Sequence, residues 1–381
     1  MELRGTNQEL TRPFNRRIVL EYIRSRGLVA RSEIAAAVGL TVQTVSLIVR
    51  ELEDLGFVQP LRDKQRGRGA PRHSLRVNPE GGFAIGIDLS PLGISAALMD
   101  LSGQIVGASG RSGAHLGPEA GLRLIADLIG DMRALRADGR ILGIGLSIPG
   151  PVDVASMSFV GPTTLEGWGG IRLRERVAEE SGLPTFIGID TGAAALGERL
   201  YGVARNLSDF YYLHMGMGLG GTMVHAGVPL RGACGNAGEI GHIPMVPGGL
   251  PCSCGNRGCL ERYVSLVGFE ERPAGQSQED WIAAVTPMFH RAITVIENLF
   301  DPETIVLGGI APAGLIDALV ATTAELPSSI AARPGRVLPR VIASTDRQSV
   351  LRGAAALAVS GVLSPGTAPS PGDPFSNGLA A

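Results

Sequence analysis

Cysteine is scarce in this 381-residue chain: there are four, and three of them fall between residues 252 and 259. Aromatic residues make up only 4% of the sequence, and no run of about 18 apolar residues occurs, so a membrane-spanning helix is not expected. The first residues, MELRGTNQELTRPFNRR, lack the apolar stretch of a secretory signal. Together these absences point to a reduced, cytoplasmic setting with no membrane partner, in which a disulfide framework is not expected. Glycine is plentiful at 54 residues, so the backbone must turn tightly in many places.

Net charge is only −2, but it is unevenly spread. Residues 1–80 hold fourteen Lys/Arg against nine Asp/Glu, and residues 81–381 hold twenty against twenty-seven. A basic head on an acidic body suits a polyanionic partner for the head. In that head, Ile18, Val19, Tyr22 and Ile23 recur at helical spacing up to Gly27. A short second helix follows with Ser32 as its cap, stopped by Gly39. Thr41 caps a third helix with Val45, Ile48, Val49, Leu52 and Leu55 on its inner stripe. Two strands around a basic, glycine-rich turn complete a winged helix-turn-helix. Thr41, Gln43, Thr44, Ser46 and Arg50 are the candidate DNA contacts of the third helix, and Arg66, Arg68 and Arg72 those of the wing. A protein-docking helical domain is the alternative, and the basic wing favours double-stranded DNA.

From residue 81 strand-like and helical segments alternate, as in an α/β architecture. GFAIGIDLS and ISAALMDLSGQIV read as two strands of a hairpin, joined later by ILGIGLSIPGPV. His242, Cys252, Cys254 and Cys259 have the spacing H-x9-C-x-C-x4-C. Three thiolates and an imidazole suit tetrahedral zinc and leave no open position, which marks a structural site. A catalytic thiol would need one cysteine with an activating base, and redox use of Cys252 and Cys254 would leave His242 and Cys259 without a role. Cys234 is expected to be a bystander in the core.

The motifs GIDL, LSIPGPV, GIDTGAAALGE, MGMGLGGTMVHAGVPLRGACGNAGEIGH and CSCGNRGCLE follow one another in an order and spacing that resembles the ROK family of repressors and sugar kinases, over roughly residues 11–360. With the winged helix, the chain is similar to the family's regulators, such as repressors of xylose or N-acetylglucosamine genes. The resemblance implies that a two-lobed, actin-like hexokinase body with a structural zinc, at 81–363, follows the winged helix-turn-helix domain at 1–80; the tail at 364–381, rich in proline, glycine and serine, is expected to be disordered. It implies that Glu239, His242 and Glu261 bind sugar hydroxyls, that His242 also ligates zinc, and that Asp190 matches the catalytic aspartate of the kinases; here Asp190 is expected to bind the sugar first and to act in catalysis only if the chain is a kinase. Thr164 stands where the kinases carry a sugar-binding asparagine.

The nucleotide loops depart from the kinase pattern. Ser90, Pro91 and Leu92 replace the first phosphate loop, and Met217 replaces a phosphate-contacting threonine, while Gly308 and Gly309 persist. The expected function is therefore a sugar-responsive repressor of carbohydrate genes, without catalysis. It would bind operator DNA and a monosaccharide effector as a homodimer or dimer of dimers. The alternatives are a sugar kinase with an accessory DNA-binding head, in which Asp190 is the base, and a zinc-stabilised scaffold that binds DNA and ignores sugars.

Overall fold

The computed structural model describes residues 12–62, 73–113, 116–150, 152–153, 158–159, 165, 167–331 and 335–364. The wing arginines Arg66, Arg68 and Arg72, the loop residue Thr164 and the tail beyond 364 lie outside the described residues. Among the described residues, no single helix is long and apolar enough to cross a membrane. The chain divides into two compact units: the described parts of Met1–Leu146, Leu173–Ile187 and Ala354–Ala381 form one, Ser147–Arg172 and Gly188–Gly353 the other.

The first unit begins with α1 (Arg12–Arg26), β1 (Val29–Ala30), α2 (Arg31–Val38), α3 (Val42–Asp54), β2 (Val58–Arg62) and β3 (His73–Val77). Ile18, Val19 and Ile23 of α1 meet Val45, Ile48, Val49 and Leu52 of α3 in one buried core, as helical spacing predicts, while Leu55 is only half-buried. Thr41 caps α3, its Oγ1 accepting from the Thr44 N–H at 3.1 Å. Ser32 does not cap α2. That helix starts two residues earlier than a Ser32 cap would place it, at Arg31, because the Glu33 carboxylate reaches back to accept from the Ala30 N–H at 3.0 Å. β1 joins β3 and β2 in a three-stranded sheet, completing the winged helix-turn-helix.

The body continues with β4 (Phe83–Ser90), β5 (Gly93–Asp100), β6 (Ile105–Ser112), α4 (Pro118–Ala134), β7 (Ile141–Ile148), β8 (Val152–Asp153), β9 (Ser158–Phe159), α5 (Leu173–Ser181), β10 (Thr185–Ile189) and α6 (Asp190–Tyr201). The expected strand ISAALMDLSGQIV is in fact β5 and β6. Asp100 breaks it, its Oδ1 accepting from the N–H groups of Ser102 and Gln104 to close a turn. β11 (Phe210–Met215), β12 (Leu219–His225), β13 (Val228–Pro229), α7 (Leu266–Glu270), α8 (Gln278–Phe300), β14 (Ile305–Gly309), α9 (Ala313–Thr322), β15 (Val341–Ala343) and α10 (Ser349–Leu363) follow.

The two five-stranded sheets share one plan. Their orders are β6-β5-β4-β7-β10 and β13-β12-β11-β14-β15. In each, a three-strand meander is followed by helix, strand, helix, strand and helix, with the β8–β9 pair inserted in the first and the short α7 preceding α8 in the second. This duplicated topology is that of an actin-like body. In the second unit, alternation along β11 sends Tyr211, Leu213 and Met215 into a core with α8 and α9, and Phe210 and Tyr212 into another with α6.

Candidate metal centre and effector site

The long excursion between β13 and α7 folds back on itself. Met245 and Val246 donate backbone N–H groups to Gly258 O at 2.8 and 3.1 Å, Gly258 donates to Leu250 O at 2.8 Å, and Leu260 to Ile243 O at 3.0 Å. Gly258 sits at φ +77°, and a Cβ there would lie 1.7 Å from the Val246 carbonyl oxygen, so only glycine lets these strands of chain meet. The result brings one donor atom each from His242, Cys252, Cys254 and Cys259 within 4.8 Å of one another. Cys254 Sγ lies 3.6 Å from Cys259 Sγ, and Cys252 Sγ 3.5 Å from His242 Nδ1. A tetrahedral ion with bonds of about 2.0–2.3 Å needs ligand–ligand edges of roughly 3.5–3.8 Å, so the four donors fit one metal.

All four cysteines are free. The backbone N–H of Asn256 draws the Cys254 thiol down to about 7, while burial pushes Cys259 up to about 12. Cys234 is exposed and not in the core, since it lies in the surface loop before Asn236, whose side-chain amide donates to the Cys234 carbonyl at 3.2 Å.

The same excursion carries the carboxylates. Glu239 precedes a single 3-10 turn, Ile240–His242, and Glu261 lies in another, Leu260–Arg262, directly after Cys259. The His242 ring therefore looks two ways. Its Nδ1 faces Cys252 Sγ and, at 3.4 Å, Glu261 Oε1, while its Nε2 faces Glu239 Oε2 at 3.8 Å. The Cys252 thiol donates to Glu261 Oε1 at 3.1 Å. Asp190 opens α6, its Oδ1 accepting from the Thr191 N–H at 2.6 Å.

Burial lifts the Glu239 carboxyl above its usual range; His242 opposes this, and Asp190 and Glu261 add to it. Burial likewise lifts Asp190, opposed by His214 and the Thr191 N–H. Asp190, Glu239, His242 and Glu261 thus form one electrostatic group within the second unit. Carboxylates and an imidazole so placed can accept and donate paired hydrogen bonds to neighbouring hydroxyls. Sequence reasoning missed one member of this group, His214 on β11. A lone histidine in an apolar strand gives no signal that separates it from an ordinary core residue.

The loops that differ from the kinase pattern have structural occupations. Ser90–Gly93 is the tight turn between β4 and β5, where the Ser90 hydroxyl donates to Gly93 O at 3.3 Å. In the loop from Gly216 to Gly218, Gly216 donates to Gly218 O at 2.9 Å, and Leu266 and Val267 donate to the Gly216 and Met217 carbonyls. Gly308 has a packing reason, because a Cβ there would lie 2.5 Å from the Tyr212 hydroxyl.

On α3, Thr41, Gln43 and Arg50 are exposed and Thr44 and Ser46 half-buried. Thr41 and Thr44 share a hydroxyl contact at 2.9 Å, and the Ser46 hydroxyl donates to Val42 O at 2.8 Å, so these three side chains are engaged within the helix. Glu51 pairs with Arg12 and Arg16, and Glu53 with Arg31. Leu47, 61% exposed, lies between Gln43 and Arg50 on the same face and was not foreseen.

Residues 84–360 match the model of the ROK family, and residues 15–59 that of winged helix-turn-helix DNA-binding domains. The chain is 34% identical over 282 residues to the xylose repressor of Caldicellulosiruptor bescii, covering 72% of this chain and 70% of that protein. It is also 34% identical over 191 residues to a glucokinase of Halalkalibacterium halodurans, covering 48% and 57%. A solved structure described as a ROK family transcriptional regulator, homolog of E. coli MLC protein, superposes with a TM-score of 0.69 at 24% identity, over 91% of this chain and 96% of that one.

Proposed function

The chain belongs to the ROK family, and on that premise we propose that it is a sugar-responsive transcriptional repressor. Residues 1–80 bind operator DNA, residues 81–363 bind a monosaccharide, and the protein works as a homodimer or dimer of dimers. The observation that carries this reading is that one chain holds both an exposed recognition-helix face, Gln43, Leu47 and Arg50, and the Asp190, Glu239, His242 and Glu261 group. A helix-turn-helix reading a palindrome needs a second copy at fixed spacing, hence the dimer. The relatedness to a xylose repressor makes a neutral pentose the first effector to try.

We assign the metal as structural zinc held by His242, Cys252, Cys254 and Cys259. When bound, it supplies rigidity, not a reactive water, because the four protein donors complete its tetrahedron. His242 then presents its Nε2 side and Glu239 to the sugar, with Glu261 positioned by the ligand Cys259, which caps the turn that carries it. Asp190 accepts a hydroxyl hydrogen bond. Ser90, Pro91 and Met217 stand against nucleotide binding, so the protein is not an enzyme in this reading.

The test is operator binding across a sugar panel. Genomic fragments selected by the full-length protein are titrated with it in the presence of D-xylose, D-glucose or N-acetylglucosamine. A change in operator affinity with one sugar supports the proposal, and no change with any sugar removes it. Asp190, with its raised carboxyl, favours one second reading, a sugar kinase with a DNA-binding head. Sugar-dependent ADP formation lost in Asp190→Asn would establish that reading.

A further inference from the structure

We propose that His214 is an additional effector-contacting residue, which pairs with Asp190 to receive an uncharged sugar hydroxyl; this rests on the sugar-sensor reading. His214 shares the β11 face that carries Phe210 and Tyr212, but it stands at the end of the strand, beyond that core. Its ring is tilted against Tyr212, centroids 6.2 Å apart. Its partners across the sheet are Gly220 on β12 and Gly308 on β14, both without a side chain. Two residues on, a Cβ at Gly216 would lie 3.0 Å from His214 Nε2. The Thr191 methyl closes on Gly220, where a Cβ would lie 2.9 Å away, which brings the start of α6, and Asp190 with it, against this corner.

The imidazole is 7% exposed, and its Nδ1 is buried without a hydrogen-bond partner. A buried polar group left without a partner destabilises the fold, so its presence calls for a use. Burial holds His214 neutral, with its pKa below the usual histidine value despite the pull of Asp190. A neutral imidazole and a carboxylate together suit a hydroxyl, which donates to the carboxylate and accepts from the imidazole N–H. The groups acting electrostatically on Asp190 and Glu239 are His214, His242 and carboxylates, with no arginine or lysine among them. An anionic ligand group would meet repulsion here, and an uncharged polyol would not.

The experiment uses the full-length chain and calorimetry with D-xylose, D-glucose and N-acetylglucosamine. His214→Leu fills the seat without a polar atom, and His214→Asn restores one near Nδ1. For the sugar that the wild type binds, His214→Leu is expected to lose at least about tenfold in affinity and His214→Asn clearly less. The melting temperature of His214→Leu should equal or exceed the wild type's, because an unsatisfied group has been removed; a purely structural role predicts a fall. Independently of any variant's folding, the Nδ1 signal of 15N-labelled His214 in the wild type should move when the sugar is added. Sugar binding that leaves both the signal and the His214→Leu affinity unchanged overturns the inference alone. A wild type that binds none of the three sugars overturns it together with the sensor reading.

Discussion

Arg140 lays its guanidinium over the ring of Phe57, 4.3 Å from the centroid, while its Nη2 donates to Leu55 O at 2.9 Å and its Nε to Gly81 O at 3.2 Å. Asn78 holds the same place from the other side, its Nδ2 donating to Gly56 O at 2.8 Å and its backbone N–H to Phe57 O at 2.9 Å. Phe57 belongs to the winged helix, and Arg140 leads into β7, its carbonyl accepting from Phe83 N–H at 2.9 Å. The DNA-binding head is thereby tied to the β4–β7 sheet through one cation.

Arg140→Ala should cost about 1–2 kcal/mol, since the cation–π contact and the charged hydrogen bonds are partly exposed. At about 2–4 °C per kcal/mol the loss is visible in a thermal melt. The same variant should keep its sugar affinity and lose part of the sugar's effect on operator affinity, because coupling needs a connection that the two sites both bias. An undiminished sugar effect would exclude this route.

Gly258→Ala should disrupt the metal centre. The added Cβ meets the Val246 carbonyl, and the backbone is already at φ +77°. The ladder through Met245, Val246 and Leu250 must then shift, and it is this ladder that sets Cys259 opposite Pro244. Metal per purified chain, measured by elemental analysis, should fall from one toward zero. Gly255→Ala is the milder control, because its Cβ would meet nothing within 4 Å and only its φ of +89° is strained.

Chelation should act on the body before it acts on the head. The four ligands lie in the second unit, far along the chain from the core of α1 and α3. Sugar affinity should therefore drop on metal removal while near-native helical signal from the head persists, and zinc should restore both affinity and melting temperature. Normal sugar binding by metal-free protein would sink the supporting role assigned to the ion.

Local chemistry made part of this molecule legible from sequence. Thr41 as a cap, the α3 stripe and the four metal donors all follow from spacing within a few residues: Thr41 caps α3, the stripe is buried from Val45 to Leu52, and the four donors lie together. Ser32 misled because Glu33, its neighbour, competes for the same N-terminus and reaches the Ala30 N–H first. His214 and Arg140 were invisible for a different reason. Their importance comes from what the fold brings beside them, Asp190 in one case and Phe57 in the other, and neither partner is near in sequence.

The half-buried Asp190 and the buried His214 predict a specific pH response. Asp190 has a folded pKa above its ordinary one, so its protonated form favours the folded state, and that contribution is lost as pH rises from about 4 through the raised value. His214 has a lowered folded pKa, so its contribution is present above about 6.5 and is lost as pH falls below that. Asp190→Asn should therefore be more stable than the wild type at pH 7.5, with the difference shrinking toward pH 4.5. Taking the difference between two metal-loaded proteins cancels the acid release of the ion. An equal difference at both pH values would contradict the desolvation of Asp190.

Recognition by α3 can be separated from mere attraction to DNA. Gln43 is exposed on the face it shares with Leu47 and Arg50, and a glutamine there can pair with the edge of an adenine. Gln43→Ala should cost about 1–3 kcal/mol on the selected operator and little on random DNA. Arg50 is exposed, and its two acidic neighbours have other partners, which frees it to meet phosphate. Arg50→Ala should weaken operator and random DNA alike and lower the salt slope by about one. Both side chains lie outside the α1–α3 core, so neither variant should change the melting temperature appreciably. Fluorescence anisotropy at several salt concentrations separates the two effects. If Gln43→Ala leaves the ratio of operator to random-DNA affinity unchanged, base reading lies elsewhere than on this face of α3.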